Sequence, residues 1–70
     1  RKQYMNIYLN GEPQQAEAGC TLAKILEAID LNGKRVAVEL NEEIIPKAHF
    51  EATRLAEGDR LEIVHAIGGG

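Results

Sequence analysis

Several residue types are scarce in this chain of 70 residues, and each scarcity argues against a class of protein. A single cysteine can form no internal disulfide, and small domains without disulfides are typical of the cytoplasm. One phenylalanine, two tyrosines and no tryptophan give no stacking platform for bases, and the basic residues form no cluster. No apolar run is long enough to span a membrane. The sequence therefore predicts a cytoplasmic protein that binds neither nucleic acid nor membranes.

The features of an enzyme are also missing. The chain has no Gly-x-x-x-x-Gly-Lys-Ser/Thr phosphate loop, no metal-ligand spacing and no pairing of a nucleophile with a base. A domain of this size buries only about 60% of the surface of its unfolded chain, which leaves little room for a deep pocket. Eleven acidic against eight basic residues give a net charge of -3. This balance suits a partner with a positively charged docking surface.

Hydrophobic periodicity predicts the secondary structure. Alternating apolar residues indicate strands at residues 5–10, 36–40 and 60–67, with shorter strands at residues 14–18 and 44–45. Asn10-Gly11 predicts a type I′ hairpin turn, because both central positions of that turn need positive φ. The polar strand 14–18 is expected at an edge of the sheet, and the last strand, partly apolar on both faces, is expected at its centre.

One short helix is predicted between the second and third strands. Thr21 is the expected N-cap, and Asn32 or Gly33 is expected to take the left-handed conformation after the helix. A further helical turn is expected around residues 50–52. Apolar residues recur at the spacing of one helical face at Leu22, Ile25, Leu26 and Ile29. One helix on a mixed sheet of four to five strands is an α+β fold.

The chain ends in three glycines, Gly68, Gly69 and Gly70. They cannot add to a core, and ordering them costs more backbone entropy than ordering other residues. A thin peptide that carries an α-carboxylate into a narrow partner site explains them, and a frayed end without function is the alternative. Residues 1–4 fit no pattern and precede Met5, a candidate initiator. We therefore predict an extension at 1–4, a domain at 5–67 and a flexible tail at 68–70.

The order of elements and the glycine ending resemble the ubiquitin-like β-grasp fold, and within it the ThiS family of sulfur carriers in bacterial thiamin biosynthesis. The resemblance covers almost the whole chain from Met5. It is carried by Met-x-Ile-x-Leu-Asn-Gly at 5–11, Thr-Leu-x-x-Ile-Leu at 21–26, Val-Ala-Val-Glu-Leu-Asn at 36–41, Ile-Pro-Lys at 45–47, Leu-x-x-Gly-Asp-x-Leu-Glu-Ile-Val at 55–64, and the glycine terminus. It is the combination, in this order, that is specific.

The resemblance implies a carrier without bound cofactor and without catalytic activity of its own. Gly70 would be the modified residue: a ThiF-like adenylyltransferase would activate its carboxylate with ATP and a metal, and sulfur from a persulfide protein would convert it to a thiocarboxylate. A ThiG-like thiazole synthase would accept the sulfur. Gly68 and Gly69 would form the stem that enters the partner's active site. The carrier alone is expected to be a monomer.

A docking face is expected on the side of the sheet that the helix leaves uncovered. If the first strand lies beside the last, and the third strand lies on its other side, one outer surface contains Tyr8, Ala37, Val64 and Ala66, flanked by Glu39 and Glu62. A modest apolar patch with a charged rim is typical of a transient interface. The alternative is that these are ordinary exposed residues of a small sheet.

The remaining chemically active side chains are interpreted as structural. Cys20 precedes the helix without a basic neighbour, His65 belongs to the last strand, and His49 has no partner at ligand spacing. Glu42 and Glu43 are interpreted as a solvated turn. Other functions remain open at this stage: the small subunit of molybdopterin synthase, a ubiquitin-like modifier joined to lysines, and, in another class, a β-grasp binding module without covalent chemistry.

Overall fold

The computed structural model describes residues 2–65, which form a five-stranded sheet with a helix on one face. The elements are β1 (Tyr4–Leu9), β2 (Glu12–Glu17), α1 (Leu22–Ala28), β3 (Val36–Leu40), β4 (Glu43–Ile45), a 3-10 turn (Lys47–His49) and β5 (Arg60–His65). The strand order across the sheet is β2-β1-β5-β3-β4. Strands β1 and β5 are parallel and the other pairs are antiparallel. The prediction of a mixed sheet with a central last strand and an edge second strand is confirmed.

Strand boundaries differ slightly from those predicted. Strand β1 begins at Tyr4, which pairs with Glu17, and the Gln3 carbonyl accepts a hydrogen bond of 2.9 Å from Ala18 N–H. Tyr4, which was assigned to an extension, therefore belongs to the sheet. Strand β2 begins two residues before the predicted start. Residues 66–67 of the predicted last strand lie outside the described residues.

Two hairpin turns have positive φ at both central residues. In the first, Asn10 has φ 51° and Gly11 has φ 86°, which confirms the predicted type I′ geometry. The second joins β3 to β4 through Asn41 at φ 50° and Glu42 at φ 72°. The predicted turn at this place is confirmed for Glu42, while Glu43 already belongs to β4. The positive φ of Glu42 was not predicted, because glycine is usual at that position.

The helix begins as predicted and ends differently. Thr21 Oγ1 accepts a hydrogen bond of 3.2 Å from Lys24 N–H, which confirms the N-cap. After the helix, Asp30 has φ 64° and is the first left-handed residue; Gly33, one of the two predicted candidates, is left-handed as well, with φ 78°. Leu31 N–H donates to the Leu26 carbonyl at 2.8 Å, which closes a Schellman motif and brings two apolar side chains together.

The predicted helical turn starts earlier than expected. It begins with the 3-10 turn Lys47–His49, in which His49 N–H donates to the Pro46 carbonyl at 2.9 Å. Turn structure continues through the predicted residues 50–52, where Ala52 N–H donates to the His49 carbonyl at 3.1 Å. Pro46 has φ -65° and no N–H, so it stands naturally just before a helical turn. Phe50 is thereby brought into the core. No helix among residues 2–65 is long and apolar enough to cross a membrane.

The core lies between α1 and one face of the sheet. Ile7, Leu22, Leu61 and Val38 are the largest fully buried side chains, and each contributes roughly 2–3 kcal/mol by burial. The opposite face of the sheet has no helix over it among the described residues, and its strands therefore present their outward side chains to solvent. The buried hydrophobic side chains are Met5, Ile7, Ala16, Leu22, Ile25, Leu26, Val38, Phe50, Leu55, Leu61 and Ile63.

Candidate functional site

Strand β5 is the last described element and runs toward the predicted reactive tail. All five residues of β3 pair with β5, from Leu40 opposite Leu61 to Val36 opposite His65. On its other side β1 pairs with only the first two residues of β5, Arg60 and Leu61. Leu61 and Ile63 point into the core and are buried. The origin of the tail is therefore anchored by packing and by one full ladder.

Asn10 completes the shorter ladder with its side chain. After the backbone of β1 turns away, Asn10 Oδ1 accepts a hydrogen bond of 2.8 Å from Ile63 N–H, and Asn10 Nδ2 donates to the Ile63 carbonyl at 3.3 Å. The amide thus replaces one peptide unit of the missing strand. Because asparagine tolerates the left-handed conformation, one residue both makes the turn and holds β5.

Asn41 holds the beginning of β5 from the other side. Its Oδ1 accepts a hydrogen bond of 2.9 Å from Arg60 N–H, and its Nδ2 donates to Asp59 Oδ1 at 3.1 Å. The second oxygen of Asp59 accepts from Ala56 N–H at 2.8 Å. Sequence reasoning identified Asn10 only as a turn residue and missed both side-chain contacts. The sequence did contain a hint of these contacts. Each strand beside the last one is followed directly by an asparagine, Asn10 after β1 and Asn41 after β3.

The predicted docking residues that the structure describes share the open face. Tyr8, Ala37 and Val64 are all exposed, and Ala37 lies directly opposite Val64. Tyr8 lies opposite Arg60, four residues before Val64 along β5, which is a separation of about 13 Å. The three side chains therefore do not form one contiguous patch. Ala66, Gly68, Gly69 and Gly70 lie outside the described residues.

Ile44 is an exposed apolar residue on the same face that the prediction omitted. It lies opposite Glu39, whose neighbour on the other side is Glu62, and it is 76% exposed. The sequence could have indicated this exposure. Ile44 and Ile45 are consecutive residues of a strand and point to opposite faces, so only one of them can face the core. Ile45 is the partly buried member of this pair.

Cys20 lies just before α1 and has no activating surroundings. Its partial burial, with the charge of Glu17, raises the pKa of its thiol, while a backbone hydrogen bond lowers it less. The thiolate is the reactive form, so these surroundings make the thiol less reactive at neutral pH. This geometry favours the structural interpretation of Cys20.

The other polar candidates are not brought together. His65 is half-buried at the end of β5, while His49 is exposed in the 3-10 turn. Glu42 lies in the second hairpin turn and Glu43 begins β4. Within residues 2–65 no three His, Cys, Asp or Glu side chains are grouped so as to hold a metal ion.

Comparison with a solved structure agrees with the fold. The crystal structure of a thiamine biosynthesis protein, ThiS, from Geobacter metallireducens superposes with a TM-score of 0.80 at 32% identity, covering 94% of this chain and all of that one. The prediction of a ubiquitin-like β-grasp fold is thereby confirmed.

Curated relatives are of two lengths. A protein named sulfur carrier protein ThiS from Thermus thermophilus is 41% identical over 64 residues, covering 91% of this chain and 98% of the relative. A thiazole synthase from Magnetococcus marinus is 46% identical over 66 residues, covering 94% of this chain. The chain spans only 20% of the length of that thiazole synthase.

The model of the ThiS family matches residues 7–70, from the first strand to the final glycine. The match includes both hairpins, the helix, the central strand and the glycine ending. The chain therefore belongs to the ThiS family.

Proposed function

We propose that this chain is a sulfur carrier protein for thiazole formation in thiamin biosynthesis. The observation that carries the proposal is the family match that runs without a break into Gly70. The name of the Thermus thermophilus relative, which is of nearly the same length, supports it. The anchoring of β5 by Asn10 and Asn41 supports it as well, because a carrier must present its reactive end from a defined position.

The proposed chemistry takes place at the carboxylate of Gly70. A free carboxylate is a poor electrophile, because its leaving group would be an oxide. In the proposed sequence its oxygen attacks the α-phosphorus of ATP and pyrophosphate leaves. The terminal sulfur of a persulfide then attacks the acyl carbon and AMP leaves. A thiol cleaves the resulting acyl disulfide, which leaves a thiocarboxylate on Gly70 and a disulfide between the donor and the thiol.

We assign the catalytic parts of this sequence to partners in the cytoplasm. A ThiF-like adenylyltransferase consumes ATP with its metal, a persulfide protein donates sulfur, and a ThiG-like thiazole synthase accepts it. The thiazole synthase from Magnetococcus marinus supports the last assignment, since it carries a segment similar to this chain in one longer polypeptide. This chain, as a monomer, supplies the slender stem of Gly68 and Gly69 and the cargo position at Gly70.

The open face of the sheet is the proposed docking surface. Its exposed residues Val64 and Ala37 lie on β5, which runs toward the tail, and on its neighbour β3. We also assign Ala66, which lies outside the described residues, to this surface because it has the sequence parity of Val64. Tyr8 belongs to the far end of this surface. A Val64→Lys change places a charge in the surface without disturbing the core, so unimpaired partner binding by this variant would count against the assignment.

The experiment is an intact-mass measurement after reaction with purified partners. The chain is incubated with ATP, Mg²⁺, a ThiF-like adenylyltransferase, a persulfide donor and a thiol. The expected result is a mass increase that corresponds to the exchange of one oxygen for sulfur, placed on Gly70 by fragmentation. A lysine adduct would instead identify a protein modifier, and an unchanged mass with enzymes shown to be active on a known carrier would refute the proposal.

A chain that lacks only Gly70 is the matched control. It still ends in a glycine carboxylate, but its reach is shorter by about 3.5 Å. We expect it to fold normally and to form no adenylate, because the carboxylate would stop short of the α-phosphate. Adenylation of this control at the wild-type rate would show that the position of Gly70 is not what the partner recognises.

A further inference from the structure

The open face of the sheet holds a pair of carboxylates in an apolar setting. Glu39 and Glu62 lie directly opposite each other on the adjacent strands β3 and β5, with their Cβ atoms about 5 Å apart. Both are exposed, and both project from the face that α1 leaves uncovered. The two side chains are direct cross-strand neighbours at the centre of this surface.

Neither carboxylate forms an ion pair with a cation of residues 2–65, although Arg60, two residues before Glu62 on β5, lines the same groove. The ion pairs in this part of the chain are Lys2 with Glu17 at 3.7 Å and Lys24 with Glu27 at 3.3 Å. Like charges directly opposite on adjacent strands destabilise a sheet. The isolated domain therefore keeps an arrangement that lowers its own stability.

Apolar side chains flank the two carboxylates on the side of β4 and of the C-terminal end of β5, and Arg60 lies on the opposite side. Val64 is 68% exposed and Ile44 is 76% exposed, which makes them the most exposed large hydrophobic residues of the described chain. Ala37 lies opposite Val64, and Ile44 lies opposite Glu39. We call these residues the carboxylate patch: Ala37, Glu39, Ile44, Glu62 and Val64.

We propose that the carboxylate patch docks an arginine of the adenylyltransferase, with the guanidinium between Glu39 and Glu62 and apolar partner residues against Ile44 and Val64. A planar guanidinium offers several donors in a fixed geometry, so it can donate to two carboxylates at once. The ammonium group of a lysine is a single point charge and lacks this geometry. The inference rests on the proposed function, since it names the chemistry of the partner's docking surface.

The position of the patch relative to the tail fits this partner. Gly70 is the sixth residue after Val64, and an extended chain of six residues spans at most about 22 Å. An enzyme seated on the patch therefore has its ATP site within that distance. Charge also disfavours a second copy of this chain, because it would bring the four carboxylates of two patches against only two Arg60 side chains.

The test is steady-state adenylation by a purified ThiF-like adenylyltransferase, measured as pyrophosphate release against the concentration of the full chain. The variant Glu39→Gln/Glu62→Gln keeps the shape of both side chains and removes both charges. We expect its KM to rise about tenfold to a hundredfold, as for loss of charged hydrogen bonds, with kcat unchanged. The KM of the wild type should rise steeply with salt and that of the variant should not.

The matched control is Glu12→Gln/Glu51→Gln, which removes the same charge from exposed residues outside the patch. We expect its KM to stay within about twofold of the wild type, as for exposed charges that contact nothing. The patch variant should also melt about 1–3 °C higher than the wild type, because the repulsion is gone. A variant that binds the enzyme less tightly although it is more stable has lost docking contacts and not its fold.

Different results overturn different statements. Equal KM values for the patch variant and the control would overturn the inference and leave the proposed function standing. A wild-type chain that is not adenylated would overturn both. A wild-type dimer in sedimentation that the patch variant abolishes would show that the face binds a second copy, which also overturns the inference.

Discussion

Replacement of Asn10 by alanine tests whether one side chain anchors the strand that leads to the tail. The change removes the hydrogen bonds of 2.8 and 3.3 Å to Ile63, each worth about 1 kcal/mol net. It also leaves a residue with a Cβ at φ 51°, which costs roughly 1 kcal/mol more than asparagine. The expected loss is about 3 kcal/mol, of a total that is roughly 4–10 kcal/mol for a domain of this size.

Two further substitutions separate these contributions. Asn10→Gly removes both hydrogen bonds but accepts positive φ freely, so it should lose about 2 kcal/mol. Asn10→Asp keeps the acceptor for Ile63 N–H and loses the longer bond, so it should lose about 1 kcal/mol. Asn32→Ala, an exposed loop asparagine without positive φ, is the control and should change stability by less than about 0.5 kcal/mol.

The assay is urea unfolding followed by circular dichroism, combined with amide hydrogen exchange. In Asn10→Ala the midpoint of thermal unfolding should fall by roughly 10–20 °C, and the Ile63 amide should exchange faster relative to amides that bond to β3. A stability loss below about 0.5 kcal/mol, with unchanged exchange at Ile63, would refute the assigned role of Asn10.

The remaining predictions concern the tail, the thiol and the second turn. Gly69→Val should leave thermal unfolding unchanged and abolish adenylation, and wild-type adenylation rates in this variant would contradict the role of the stem. Cys20→Ser should leave sulfur transfer intact; because folding raises the pKa of this thiol, its alkylation at about pH 8 should accelerate when the chain is unfolded, and equal rates would contradict the assigned surroundings. Glu42→Gly should stabilise the fold by about 1 kcal/mol in urea, since Glu42 has φ 72°, whereas Glu43→Gly in β4 should destabilise it.

The predictions from sequence were correct where a feature depends on residues that are close together in the chain. The N-cap at Thr21, the type I′ turn at Asn10 and the alternation of β5 depend on contacts within a few residues. Errors occurred where two local signals compete, as at the helix end, where Asp30 takes the left-handed conformation in addition to the predicted Gly33. The 3-10 turn shifted for the same reason, since Pro46 begins it early.

The sequence alone determined the glycine ending and the helix and strand periods, and the resemblance of its motifs to the ThiS family indicated a carrier. Only the tertiary structure decided which residues are neighbours across strands. It separated Tyr8 from Val64, placed Glu39 between Ile44 and Glu62, and brought the Asn10 amide to Ile63. The physical reason is register: residues more than fifty positions apart meet only when the strands have paired.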